Sequence, residues 1–172
     1  MRWSDIGDSA CSIARALAIV GDRWTMLVLR EAFFGVRRFE DFQRLTGASP
    51  RLVSDRLAKL VAEGVMDKRP YQDRPVRHEY RLTAKGRELH PVMVMLSLWG
   101  QRWMGDPARP PVRLVHRADR GGCGRATRPT LVCAECAGPI APGDIAVEFS
   151  PAYAAERAAR ADPEGRAGTQ DS

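Results

Sequence analysis

The residues of this chain that could do chemistry fall into two sets. One is cationic and hydroxylic: Arg51, Ser54, Asp55, Arg56 and Lys59 crowd one segment, Ser49 opens it, and Arg37, Arg38, Arg74 and Arg77 flank it. Long donors interleaved with short polar side chains are what reaching phosphate oxygens and base edges requires. The other set is His116, Cys123, Cys133 and Cys136, spaced H-x6-C-x9-C-x2-C, with Cys11 far upstream. Zinc takes four nitrogen or sulfur ligands in a tetrahedron, and the C-x2-C pair supplies two at a suitable bite. None of the three histidines, His78, His90 and His116, stands in a nucleophile-elbow or phosphate-loop pattern, so the chain reads as a binder and not an enzyme.

Charge distribution sharpens the first set. The chain carries a net +6, and the stretch from Arg37 to Arg87, with 13 basic and 7 acidic residues, holds all of that excess. A polyanion-binding surface has this composition, and so does a solvated basic face, so charge alone does not decide. At 172 residues and 44% hydrophobic content the chain suits one domain with an appendage. The opening "MRWSDIGDSACS" has no signal-peptide pattern, and no apolar run reaches the roughly 18 residues of a membrane span, so a cytoplasmic protein without membrane contact is expected. In a reducing compartment the four cysteines are left to packing, metal binding or redox chemistry.

The elements that must position the cationic set follow from periodicity. "CSIARALAIVG" places Cys11, Ala14, Leu17 and Ala18 on one helical face, broadened by Ile13 and Val20, and "RWTMLVLREAFFG" is apolar nearly all round, as a central helix is. Arg37 to Phe39 reads as a short extended piece, then a short helix with Phe42 and Leu45 inward, closed by Gly47. Ser49 is an N-cap and Pro50 a first helical residue, so a second helix starts at once. Val53, Leu57, Leu60 and Val61 bury one side of it and leave Arg51, Ser54, Asp55, Arg56, Ala58 and Lys59 outside. Two strands follow, Val65 to Tyr71 and Val76 to Thr83, around "QDRP", with Arg74 and Arg77 near a basic tip that would reach a phosphate backbone or minor groove. The sum is a winged helix-turn-helix: mainly α with a small β wing.

After the wing, Thr83 caps a stretch in which Leu89, Val92, Met93, Leu96, Trp99 and Trp103 recur at helical spacing. Pro91 would cost about 3 kcal/mol inside a helix, so a kink or a late start is expected. The stripe is longer than a small core can cover. Its two tryptophans suit core or dimer contacts, and a homodimer fits a palindromic operator on double-stranded DNA.

The order "CSIARALAIVGDRWTMLVLREAFFG", "RRFEDFQR", "SPRLVSDRLAKLVAEGV", "RHEYRLTAKG" and a closing "WG" closely resembles the HxlR-type winged-helix transcriptional regulators, relatives of the MarR group, from Cys11 to about Trp103. The resemblance implies a homodimer built from the first and last helices that binds promoter DNA, as a repressor or occasionally an activator. It also implies a small-molecule or oxidant inducer, since some members sense electrophiles or oxidants through the early cysteine. Here "CS" stands where the family usually has "CP". From its own surroundings Cys11 has two readings, a buried inert thiol on an apolar face, or a reactive one at a helix N-terminus, partly exposed and near a cation such as Arg15.

Beyond residue 105 the composition changes. Residues 1–105 read as the DNA-binding and dimerisation domain, 106–113 with Pro107, Pro110 and Pro111 as a linker, 114–150 as a small β-rich Cys/His module, and 151–172 as a brief helix or disordered end. His116, Cys123, Cys133 and Cys136 are the metal ligands of a structural-zinc reading, against which stand a metal-free hairpin and a redox C-x2-C. The rival functions are a winged helix used for protein contact with a zinc-binding tail, and a thiol oxidoreductase.

Overall fold

The computed structural model describes residues 3–106 and 108–161. Pro107 of the linker and residues 162–172 of the polar end lie outside the described residues. The described residues form two compact units, one from residues 3–85 with 147–161 and one from within residues 86–146. These limits differ from the compositional ones at 105 and 150.

The first unit opens with a 3-10 turn, Trp3–Asp8, and continues through α1 (Ser12–Val20), α2 (Arg23–Phe33), α3 (Phe39–Thr46), α4 (Pro50–Ala62), β1 (Met66–Asp73) and β2 (Val76–Leu82). The short α5 (Ala84–Arg87) and then α6 (His90–Met104) follow in sequence, and α7 (Pro151–Ala161) belongs again to the first unit. Local chemistry sets the helix ends. The Asp22 carboxylate accepts the Trp24 and Thr25 amides at the start of α2, and Ser49 Oγ accepts the Leu52 amide at the start of α4, with Pro50 in its first turn. Gly47, at φ +71°, ends α3 in the left-handed conformation, and its N–H donates to Gln43 O at 3.0 Å. That turn lets α4 begin three residues later.

Leu29, Phe42, Val53, Leu57 and Leu60 are fully buried, each worth about 1.5–3 kcal/mol of transfer free energy, and α2 packs on α3, α4 and β2 as its nearly all-round apolar surface requires. Phe42 meets Tyr80 edge-on, ring centroids 6.4 Å apart, joining α3 to β2. Leu45, expected inward, is 44% exposed. It lies roughly 60° round the helix from Phe42, and a two-turn helix has one inward line, which Phe42 fills.

The wing pairs β1 with β2 antiparallel, from Met66 opposite Leu82 to Asp73 opposite Val76. Its strands run further than the expected turn "QDRP" allows. A two-stranded ribbon has only edges, where Pro70 is tolerated, and a register shift between Pro70 and Gln72 lets pairing resume with Arg77. Tyr80 N–H donates to Arg37 O at 2.8 Å, and Arg38 forms an isolated bridge with Glu79, so the segment before α3 is a third short arm of the wing.

In the second unit α6 starts late, with Pro91 in its first turn where a missing N–H leaves no bond unmade. The tail beyond it is built from tight turns with isolated bridges, Val115 to Ala126 and Val132 to Pro139, and a 3-10 turn at Ala118–Arg120. Among the described residues no helix is long and apolar enough to cross a membrane.

Candidate nucleic-acid interface

α4 presents two faces. Val53, Leu57 and Leu60 point into the core, and Arg51, Ser54, Asp55 and Ala58 are exposed, spaced so that they share the opposite side. Small residues between a long donor and a carboxylate let such a face lie in a groove about 12 Å wide. Ser49 is exposed at the cap. On the wing Arg74 and Arg77 are exposed, and like Arg51 they enter none of the ion pairs among the described residues. Arg37 is exposed with its backbone tied to β2. The Arg38 guanidinium stacks 4.9 Å from the centre of the Tyr71 ring, which orients a cation beside the wing.

Two residues expected on the outer face are not there. Arg56 Nε donates to Asp22 Oδ1 at 2.7 Å and Lys59 Nζ donates to the Ala18 carbonyl at 2.5 Å, both half-buried. They hold α4 against the start of α2 and the end of α1. The reason is angular: residues 56 and 59 lie on one side of α4, Arg56 beside the buried line of 53, 57 and 60 and Lys59 at the margin of the exposed face, so long side chains there reach the neighbouring helices before solvent. Asp22 is the node. Burial pushes its carboxyl upward, but the Thr25 amide, the Arg56 guanidinium and the Trp24 amide together hold it below the ordinary carboxylate range. An Asp just ahead of "RWT" is an N-cap signal in the sequence; its pairing with a residue 34 positions on is not.

Residues 19–107 match the HxlR-like helix-turn-helix family. An HTH-type transcriptional regulator of Mycobacterium tuberculosis H37Rv is 43% identical over 147 residues, which cover 86% of this chain and 90% of that relative. The chain belongs to the HxlR-like helix-turn-helix family. Among solved structures it is similar to PA1607, described as a transcription factor, with a TM-score of 0.72 and 35% identity over 84% of this chain and 98% of that one. The redox regulator HypR in its reduced form gives a TM-score of 0.51 and 27% identity, covering 54% of this chain and 92% of HypR. The molecule is thus a helix-turn-helix transcriptional regulator with a winged fold, in a family whose members act on DNA.

The early cysteine of the HxlR-type pattern, Cys11, is the N-cap residue of α1 and half-buried. The Ala14 amide, the Tyr153 hydroxyl and the Ile13 amide lower its thiol pKa, against burial and the Glu156 charge, which raise it. Arg15 is not among these groups. The helix that supplies Tyr153, α7, is clasped to the segment before α1: Ser9 Oγ donates to Glu156 Oε1 and the Ala10 amide to Glu156 Oε2, each at 2.6 Å. These bonds and the Arg160 side chain hold the Glu156 carboxyl below its ordinary range. No periodicity or spacing could have paired residues 147 positions apart in sequence.

In the tail the four expected metal ligands are not gathered into one set. Among the described residues no group of three or more His, Cys, Asp or Glu is placed to hold a metal ion. His116 is exposed in its own turn, its ring so close to Gly122 that a Cβ there would lie 2.5 Å from Cδ2, and its backbone bonds to Arg125 and Gly124. Cys123 is exposed. Only Cys133 and Cys136 meet, in one turn.

Proposed function

We propose that this protein is a homodimeric, sequence-specific DNA-binding repressor whose α4 enters the major groove, with Ser49, Arg51, Ser54 and Asp55 towards bases and phosphates. Arg74 and Arg77 of the wing, with Arg37 and Arg38, would contact the backbone. The observation that carries the reading is the division of labour on α4: its outer face is left exposed, while Arg56 and Lys59 lock the helix from one side. A recognition helix needs that rigidity, because base contacts lose their selectivity if the helix can shift.

Dimerisation is supported by apolar surface that the chain alone leaves uncovered. Ile13 is 71% exposed on α1, and on α6 Trp99 is 52% and Trp103 65% exposed, beside exposed Val92, Met95 and Leu96. Bare aromatic stripes of this kind belong to interfaces. A response to electrophiles or oxidants through Cys11 is supported by its helix N-cap position and the hydroxyl and amides around the thiol.

The test is a titration of the reduced protein against DNA from immediately upstream of its own coding region and against a scrambled duplex, at two salt concentrations. Tight, salt-sensitive preference for the native duplex is expected, with a slope of log K against log salt of about 0.9 per phosphate neutralised. Weak and equal binding to both duplexes would refute the reading. Sedimentation equilibrium tests the dimer, and a monomer at micromolar concentration would remove it.

A further inference from the structure

The Cys133–Cys136 turn lies outside everything assigned so far. Its backbone is closed twice, by Ala137 N–H to Cys133 O and Cys133 N–H to Gly138 O, each 2.8 Å, and Val132 bridges Pro139 behind it. Ala137 holds φ at +55°, and a Cβ at residue 138 would stand 3.3 Å from Cys136 Sγ, so Gly138 packs closely on that sulfur. The closure brings the two cysteines into a single turn. Cys136 is exposed and Cys133 half-exposed, and their side chains are close enough for the two thiols to interact.

We infer that Cys133 and Cys136 form a vicinal dithiol that closes to an intraturn disulfide on reaction with a low-molecular-weight disulfide, giving the tail a redox switch separate from Cys11. The chemistry balances with that oxidant alone. The Cys133 thiolate attacks one sulfur of the small disulfide, whose other half leaves as a thiol after taking a proton. Cys136 then gives up its proton to solvent and attacks Cys133 Sγ, expelling the second small thiol. The two protein sulfurs are oxidised by two electrons in total, and the small disulfide is reduced to two thiols. The inference does not rest on the DNA-binding reading, and its test involves no DNA.

The experiment equilibrates the full chain with glutathione buffers of rising oxidised fraction, followed by alkylation and mass spectrometry of intact protein and peptides. Two of the four thiols should disappear together, with the loss of two hydrogens mapped to the peptide that spans Cys133 and Cys136. The Cys136→Ser variant should stop at a single glutathione on Cys133. A Cys11→Ser, Cys123→Ser double variant should keep the joint loss, and peptide mapping of the unaltered chain gives the same readout if that variant folds poorly. Stepwise addition of two glutathiones, an alkylation pattern unchanged across the series, or stoichiometric zinc that must be stripped before these thiols react would each overturn the inference.

Discussion

Arg56 Nε sits 2.7 Å from the same Asp22 oxygen, Oδ1, that caps α2 through the Trp24 and Thr25 amides. One carboxylate oxygen therefore fixes both the first turn of the central helix and the middle of α4. The pair is about one-third exposed, so its Coulomb part is worth at most about 1 kcal/mol, and the cap contributes about 1 kcal/mol more. Arg56→Ala should lower the unfolding midpoint by about 2–4 °C per kcal/mol lost, and Asp22→Ala by more. Operator affinity measured well below that midpoint should fall less for Arg56→Ala than for Arg51→Ala. The reverse order would return Arg56 to the DNA.

Arg51 and Arg74 should separate by kind of loss. If Arg51 reads a base edge, Arg51→Ala costs about 1–3 kcal/mol on the operator and little on random DNA. Arg74→Ala and Arg77→Ala should weaken all duplexes alike and each lower the salt slope by about 1. Uniform loss for all three variants would mean that α4 does not lie in the groove as proposed.

Tyr153 gives a specific handle on Cys11. Its hydroxyl lowers the thiol pKa, so Tyr153→Phe should move the midpoint of the pH profile for iodoacetamide alkylation of Cys11 upward and slow alkylation at neutral pH. An unchanged midpoint would show that the Ala14 and Ile13 amides do this alone.

Acid should loosen the protein at defined points. Asp22 and Glu156 both have folded-state pKa values below their ordinary ones, so what they contribute is fully present above about pH 4.5 and is lost as pH falls through the lowered values. Hydrogen exchange at the Ala10 amide, which donates to Glu156, should lose protection in that window. Glu156→Gln, which carries no charge, should remove the pH dependence at Ala10 and leave that of the α2 cap intact. Dependence that persists in the variant would place its origin elsewhere.

The sequence by itself determined the helix-turn-helix. Gly47, Ser49 and Pro50 dictate the turn through backbone preferences that act over a few residues, the period of Val53, Leu57 and Leu60 dictates which side of α4 is buried, and Pro91 dictates where α6 can begin. Exposure of Arg51, Ser54 and Asp55 follows from the same period. The tertiary structure decided what happens at the margins of that face, where angular position alone is ambiguous. A side chain as long as Arg56 or Lys59 takes a partner wherever a neighbouring helix offers one, and both offers, the Asp22 carboxylate and the Ala18 carbonyl, come from residues more than 30 positions away. The same holds for the cysteines. The sequence left Cys11 between an inert buried thiol and a reactive one, and only the fold brings Tyr153 and Glu156 of α7 to it, while a spacing that allows four zinc ligands does not fold His116 and Cys123 onto the Cys133–Cys136 turn. Local propensity is written residue by residue, whereas long-range pairing depends on which surfaces the packed core leaves side by side.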